Sequence, residues 1–409
     1  MNRWPFLILL LLIVPLFVTG CWDSKELNSL SIISATSIDR ERDHWVVTFQ
    51  VIIPQAIATQ TGGGGAGSQS PTTIFSTNGR TIREAMQNAS LETSRMLFFA
   101  HNSILILSEK VAREEGVGQI LDFFLRPFES RETMSILLTK GKASDLLEVL
   151  IPLEKISGNA VKRVIDQSQR NLSQVQNIKL IDFAARVADP NASAMVPELQ
   201  VSGNLKGQSS LDALKSPRNE AVIKLGELGV FRRDKLVGWL NGEESRGVAW
   251  LSNRVKNLII VYPCSAKGGE RDSLSSFRVL KSSTKLSSEI QGGKVTMKVQ
   301  INARGVLDET GCKMDLSNPR VIAEQQRIIA KEINGEVVST WNRLRTIETD
   351  APGFLDVIHR EHPDAWKKLA QSKHPLDEIT IRPQIRVNIE HTDMINKPYS
   401  TLLEQNKRP

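Results

Sequence analysis

Apolar positions along this chain fall into runs of different period, and each kind predicts a different element. Phe6 to Val18 is almost continuous Leu, Ile, Val and Phe, too short and too near the small residues Thr19 and Gly20 for a comfortable membrane span. Trp22 to Leu27 has the look of a short helical start. Ser31 to Asp39 and His44 to Pro54 are rich in β-formers and predict strands, the second stopped or edged by Pro54. Thr81 to Thr93 changes to helical spacing, with Ile82, Ala85, Met86 and Ala89 on one side. The apolar runs Ser103 to Leu107 and Thr133 to Thr139 predict buried strands. Helices are expected around Ile120 to Leu125 and over Lys142 to Val149. Thr81 to Leu150 thus alternates helix and strand, which predicts helices packed on a mixed sheet. Lys155 to Ala188 reads as mostly helical and polar.

Gly203 to Asn219, rich in Gly, Ser and Lys and punctuated by Pro217, is the best linker candidate. Beyond it the pattern resets. Ala221 to Phe231 and Leu236 to Leu240 predict a hairpin around Arg232 to Lys235, and Glu243 to Leu251 a short helix. Asn257 to Pro263, Phe277 to Ile290 and Lys294 to Leu307 predict long strands, the last two joined by a Gly292-Gly293 turn. The longest helix is expected over Asn318 to Thr349, where Ile322, Ile329, Ile333, Val337, Trp341 and Leu344 form one apolar face. Pro319 fits its first turn and Pro352-Gly353 ends it. A second helix over Phe354 to Leu369 and a closing strand over Ile379 to Glu390 complete the pattern. The expected fold class is α+β and multidomain, with two or three domains, mixed or antiparallel sheets covered by helices, and a long amphipathic helix in the C-terminal domain. The expected boundaries are a leader over 1–20, an N-terminal domain over 21–202 that can divide into two, a linker over 203–219, a C-terminal α+β domain over 220–395 and a tail over 396–409.

The leader changes the picture most. Arg3 precedes the apolar run, and Val18-Thr19-Gly20-Cys21 closes it. An aliphatic residue, a small residue, Gly and then Cys resembles a bacterial lipobox, in which Cys21 would take a diacylglycerol thioether and become the new N-terminus. Burial of acyl chains at about 0.8 kcal/mol per CH2 makes such anchoring stable. The alternatives are an ordinary signal peptide with a chance cysteine, or an uncleaved anchor. The composition of the whole chain, 40% apolar and 24% charged, is that of an ordinary globular protein. The net charge of +7 either favours an anionic membrane surface or cell-wall polymer, or only aids solubility. No nucleic-acid motif is present. Cys264 and Cys312 then remain as an even pair, each following a strand-like segment of one predicted sheet. Outside the cytoplasm such a pair is either bridged or left as thiols, and spacing does not decide between them.

The search for catalytic chemistry finds no G-x-S-x-G elbow and no Walker A run. The glycines of Gly62 to Ser70 lack the Lys-Ser/Thr pair of a phosphate loop and read as a surface loop. His359-Arg360-Glu361-His362 is the most metal-like cluster, but its histidines are not spaced as in H-E-x-x-H and no third ligand is evident, so surface histidines are expected. His101, between Phe98-Phe99-Ala100 and a buried strand, reads as a structural histidine. Glu114-Glu115 and Glu243-Glu244 read as solvated helix faces. Trp45, Trp239, Trp250, Trp341 and Trp366 are expected as core anchors, while Trp22 suits a membrane interface. No catalytic residue, cofactor or metal site is expected.

Cys21-Trp22-Asp23 with Glu26-Leu27 resembles the mature start of the Ger(x)C family, the lipoprotein C subunits of spore germinant receptors. Glu84-Ala85, Arg95 to His101, Leu121 to Pro127, Arg131 and Lys140 to Ala143 are similar to the family's N-terminal region. Lys235 to Gly247 resembles a family hallmark, and so do Gly353-Phe354, His359-Arg360 and Pro363 to Trp366. The Gly62–Gly67 loop departs from the pattern, and neither Cys264 nor Cys312 belongs to it. The resemblance implies three α+β domains, so that one of the two large segments divides. It also implies a non-enzymatic partner of a polytopic B subunit and a larger A subunit, on the outer face of the spore inner membrane, in a complex that responds to a small nutrient. The runner-up is an independent solute-binding lipoprotein of a transporter, which requires a ligand cleft. A cell-wall hydrolase is the third reading, and it requires an acid pair or metal site.

Overall fold

A computed structural model describes residues 3–4, 29–61, 70–126, 132–151, 154, 156–171, 177–190, 192–215, 217–264, 274–292, 294–312 and 314–391. The leader, Cys21, the Trp22 to Leu27 start, the Gly62–Gly67 loop, Arg131 and the 396–409 tail lie outside them. The first half runs β1 (Leu30–Glu41), β2 (His44–Ile52), α1 (Pro54–Thr61), β3 (Thr72–Gly79), α2 (Ile82–Glu92), β4 (Met96–Phe98), β5 (Ile104–Ser108), a π-helical turn (Val111–Glu115), α3 (Gly118–Leu125), β6 (Ser135–Thr139), α4 (Ala143–Leu147), α5 (Ser157–Asn171), α6 (Leu180–Ala188) and β7 (Ser193–Gly203). The second half runs α7 (Leu205–Gln208), β8 (Ala221–Arg232), β9 (Lys235–Leu240), α8 (Gly242–Leu251), β10 (Leu258–Pro263), β11 (Leu274–Gln291), β12 (Lys294–Thr310), α9 (Pro319–Thr346), α10 (Phe354–Glu361), α11 (Pro363–Leu369) and β13 (Ile379–His391).

The architecture is α+β, with two sheets. The first follows the order β3-β2-β1-β5-β6-β7-β8-β9, with β4 beside β1. Its centre is parallel and its flanks are antiparallel, and helices cover both faces. Alternation along β5 and β6 explains why: Leu105, Leu107, Ile136 and Leu138 enter one core, and Ile104, Ile106 and Leu137 enter the other. α2, α3 and α6 pack on the first face, α4 and α5 on the second. Buried polar groups pin the second layer. Gln50, fully buried on β2, accepts from Gly158 N at 3.1 Å and donates to the Leu147 carbonyl at 3.0 Å. Asp39 accepts the Ala143 and Ser144 amides at 2.9 and 3.0 Å, capping α4.

The second sheet, β10-β11-β12-β13, is antiparallel except for β12 and β13, which run parallel. A parallel return needs a crossover, and α9, α10 and α11 supply it while covering one face. Ile328, Ile329, Ile333, Val337, Trp341 and Leu344 of α9 meet Val295, Met297, Val299 and Ile301 of β12 in one core.

The structure places the 203–219 stretch and changes two further expectations. Residues 203–219, read as a linker, join β7 to β8, which pair antiparallel from Ser193↔Arg232 to Gly203↔Ala221. Polar composition marks a connection there, and the sheet continues through it. The helix expected over Phe354 to Leu369 breaks at Pro363, which has no N–H to continue the ladder and starts α11 at its first position. β3 and β7 emerge from stretches that carry no clear strand pattern.

Candidate functional site

The segment Lys235 to Gly247 forms β9 and the start of α8, and it sits where the two sheets meet. β9 closes the large sheet, and Asn241 then ends the strand and begins the helix. Its side chain accepts the Glu244 amide at 2.9 Å while Glu244 Oε2 accepts the Asn241 amide at 2.9 Å, a reciprocal cap. α8 lies against α9 with almost no gap: a Cβ on Gly247 would stand 1.9 Å from Thr340 Oγ1 and 2.7 Å from the Glu336 carbonyl. Glu336 reaches back to accept Arg246 Nε at 2.6 Å and Trp250 Nε1 at 3.1 Å. Burial pushes the Glu336 carboxyl up, and the Arg246 and Trp250 donors only partly counter it.

On the other side of β9 the same segment grips the first half. Trp239 Nε1 donates to Glu109 Oε1 at 2.8 Å, and Lys140 Nζ stands 5.1 Å from the Trp239 ring centre. Arg113 donates to Glu109 at 2.6 Å and to the Leu236 carbonyl at 3.3 Å. Burial raises the Glu109 carboxyl, but the bonds from Trp239 and Arg113 outweigh it and leave Glu109 below its ordinary range. Val117 N donates to the Asp234 carbonyl at 2.9 Å, and Gly116, at φ 83°, leaves room for the Asp234 side chain. Lys235 donates to the Glu114 carbonyl. Glu114, Glu115 and Glu243 are exposed, as expected of solvated helix faces, with Glu115 3.4 Å from Arg40, while Glu244 is half-buried and completes the cap.

A cleft of about 250 Å³ opens beside this junction, between the β8–β9 turn and the end of α9. Glu348 is its hub, holding Arg232 from the first sheet and His374 Nδ1 at 2.5 Å from the second half. The Arg232 and His374 bonds keep the Glu348 carboxyl low. Arg345 reaches Asp377 at 3.3 Å across the wall. Beneath it lies Asp350, fully buried, accepting the Phe354 and Leu355 amides at 2.9 and 2.7 Å to cap α10. Burial pushes its pKa up to about 6 despite those bonds.

The histidines take other parts. His359 stacks on Trp366 at 5.4 Å, and His362 Nε2 meets the Ser288 carbonyl at 3.1 Å. His101 is exposed on a turn, and its neighbour Asn102 is the buried group, donating to Thr36 Oγ1 at 3.0 Å. Among the described residues no three His, Cys, Asp or Glu side chains gather as metal ligands, and no described helix is long and apolar enough to cross a membrane. Trp45, Trp250 and Trp341 are buried, while Trp239 and Trp366 are partly exposed. Cys264 and Cys312 follow β10 and β12 with Cα atoms 6.2 Å apart, a separation that a disulfide spans. The cleft and the Glu109–Trp239 contact were not found from sequence, because their members lie far apart in the chain.

Comparison with known proteins gives the junction its setting. The model of the spore germination protein N-terminal domain matches residues 23–201, and that described as spore germination B3/GerAC like, C-terminal, matches residues 226–393. Spore germination protein KC of Bacillus subtilis strain 168 is 31% identical over 97% of this chain and 98% of its own length. Spore germination protein B3 of the same organism is 26% identical over 91% and 93%. The solved structure titled Crystal Structure of the GerBC protein aligns at 19% identity and a TM-score of 0.49, covering 90% of this chain and 100% of that one. With both halves matched in order and a relative this similar along nearly its whole length, the chain belongs to the GerAC-like, or Ger(x)C, family of spore germination proteins.

Proposed function

We propose that the protein is the lipid-anchored C subunit of a nutrient germinant receptor, a non-enzymatic component acting with polytopic A and B membrane subunits to trigger spore germination. The observation that carries this reading is the match of both halves of the chain to spore germination protein models, together with a relative similar end to end. The structure is in keeping with it. The segment that resembles a family hallmark is spent on joining the two sheets: Lys235 is held by the Glu114 carbonyl, Glu244 by the Asn241 cap and Arg246 by Glu336. Such a subunit works through its surfaces, with lipid on Cys21 holding it at the outer face of the spore inner membrane and raising its concentration beside its neighbours. No cofactor is assigned.

The test is co-purification of the tagged protein from detergent-solubilised spore membranes, with mass spectrometry of what accompanies it. Recovery of polytopic and large receptor-like subunits supports the reading. Recovery of an ABC transporter, together with solute binding by the isolated chain in the cleft beside Glu348, would move it to a solute-binding lipoprotein. Cys21→Ala is expected to release or mislocalise the protein and weaken the nutrient response. A variant that stays on the membrane at normal level and germinates normally removes lipidation from the mechanism.

We further propose that Cys264 and Cys312 are bridged in the exported protein. The bridge would close a loop of sequence separation 48, worth about 3–4 kcal/mol through the unfolded chain. Alkylation of the unreduced, denatured protein followed by intact-mass measurement checks it: blocked sites are expected, and two labelled thiols would refute the bridge.

A further inference from the structure

Among the described residues, helices cover one side of the four-stranded sheet and nothing covers the other. Val295, Met297, Val299 and Ile301 of β12 point into the core beneath α9, so alternation turns Thr296, Lys298, Gln300, Asn302 and Arg304 to the opposite face. The register continues that face across the neighbouring strands. Lys281 lies opposite Arg304, Lys285 opposite Gln300, Arg382 opposite Lys298 and Arg386 opposite Asn302. Lys281, Lys285, Arg382 and Arg386 are all exposed, and no ion pair holds any of them among the described residues. Most acids here are engaged: Glu289 holds Lys298, Glu390 is 3.6 Å from Arg304, and Asp308 holds Arg278 at 2.7 Å, while Glu309, opposite Ser276, is exposed with no ion pair among the described residues. The face therefore carries a cationic excess spread over three strands.

Its other margin is apolar. On β10, Ile259 and Val261 are 50% and 56% exposed, and on β11 Leu274 and Leu280 are 48% and 42% exposed. Ile259 and Val261 stand opposite Arg278 and Ser276 on this same outer face, and Leu274 opposite Pro263 beside them. Four of the nine exposed large apolar side chains among the described residues thus collect at one border of a basic sheet. Isolated exposed apolar residues mean little, but a strip of them next to free cations is unusual on a monomer surface.

We propose that this face docks on an anionic lipid bilayer. The Lys and Arg side chains would meet headgroup phosphates, while Ile259, Val261, Leu274 and Leu280 enter the interfacial region. The arrangement favours a bilayer over a protein strand added at the β10 edge. Such a strand would use Ile259 and Val261 but leave Arg382 and Arg386 unused, roughly 14 Å away across three strand spacings of about 4.8 Å. A planar anionic surface engages both margins at once. The inference stands on these residues alone and needs no lipid on Cys21.

Sedimentation with protein-free vesicles tests it, using the mature chain from Trp22 onward so that neither the apolar leader nor an acyl group contributes. Binding to vesicles containing phosphatidylglycerol, weakened by salt and exceeding binding to pure phosphatidylcholine, is expected. Lys285→Glu with Arg382→Glu should lower that binding about tenfold or more, and Ile259→Ser with Val261→Ser should also lower it. Lys162→Glu with Lys224→Glu, in the other half of the molecule, should leave it unchanged. All four sites of the face variants are exposed, and an unchanged melting temperature confirms that folding is intact. Equal binding to both lipid compositions, or binding indifferent to the face variants, overturns the proposal. So does binding that appears only when membrane proteins are present, which would assign the face to a protein partner.

Discussion

Gly247 and Asp350 illustrate how single positions decide packing in this molecule. Any side chain at Gly247 meets Thr340 and the α9 backbone at impossible distances, so Gly247→Ala must push α8 away from α9. A loss of about 1–3 kcal/mol is expected, read as a lower urea midpoint. Asp350 is held in the opposite balance, between burial, which favours its proton, and two backbone amides, which favour its charge. Its pKa lies near 6 in the folded chain and near the ordinary 3.8 when unfolded. The folded state therefore binds this proton more tightly, and the group's contribution to stability falls as pH rises from about 4 to about 6. The difference is about 3 kcal/mol once both forms are ionised. Asp350→Asn keeps one of the two cap oxygens and removes the titration, so it is a less stable but pH-independent reference at this site. The stability of wild type relative to this variant should decline from pH 4 to pH 7, and an unchanging difference would refute the assignment. Neither residue announces itself in the sequence. Gly247 sits inside a helical pattern as a mild blemish, and Asp350 reads as a surface acid in a Thr-Asp-Ala-Pro turn. The His101 reading failed for a related reason: a histidine beside a buried strand draws notice, yet Asn102 has the shorter side chain that fits the core.

Elements with a strong period were legible, and those interrupted by a local exception were not. The α9 stripe and the β11–β12 hairpin follow directly from their spacing. β7 does not, because Pro197 and Glu198 interrupt it. In the structure Pro197 sits at a register shift, and Glu198, only 3% exposed, accepts the Glu227 amide at 2.9 Å. Gly226 opposite leaves the space this carboxylate needs. A buried acid satisfied from a distant strand cannot be told from a turn acid in one sequence. At this scale the start of α8 gives a prediction. Asn241→Ala removes one half of the reciprocal cap and should cost about 1 kcal/mol. Arg246→Ala should cost more, about 3 kcal/mol, because it strands the buried Glu336 carboxylate. Chemical denaturation of the two variants side by side checks the order; equal losses would mean that Glu336 simply takes up a proton.

Across the whole molecule the two halves are interlocked in a way that local periodicity conceals. β8 supplies Ile223 to one core, Phe231 to a second, and Leu228 and Val230 to a third, and Arg232 at its end binds Glu348 beyond α9. Composition marks a division at 203–219; in the structure that stretch joins two paired strands, and its Gln208 is buried and bonded to the Leu150 carbonyl and the Glu220 amide. A single cut introduced by a protease site near Ser209-Ser210, both exposed, should leave the two pieces eluting together on gel filtration under native conditions. Separation without denaturant would show that the halves are independent. The shared strand also has a consequence in time. When β7 leaves the ribosome its outer edge is bare, and two cores of the first half still lack the side chains that β8 will bring. When β8 arrives it brings Ile223 and Phe231 to those cores but turns Leu228 and Val230 toward partners not yet made, the last of them around β13. At synthesis rates of about 5–20 residues per second, a chain that folds as it is made spends on the order of ten seconds with a sticky seam uncovered, and whatever covers that seam in the interval sets its yield.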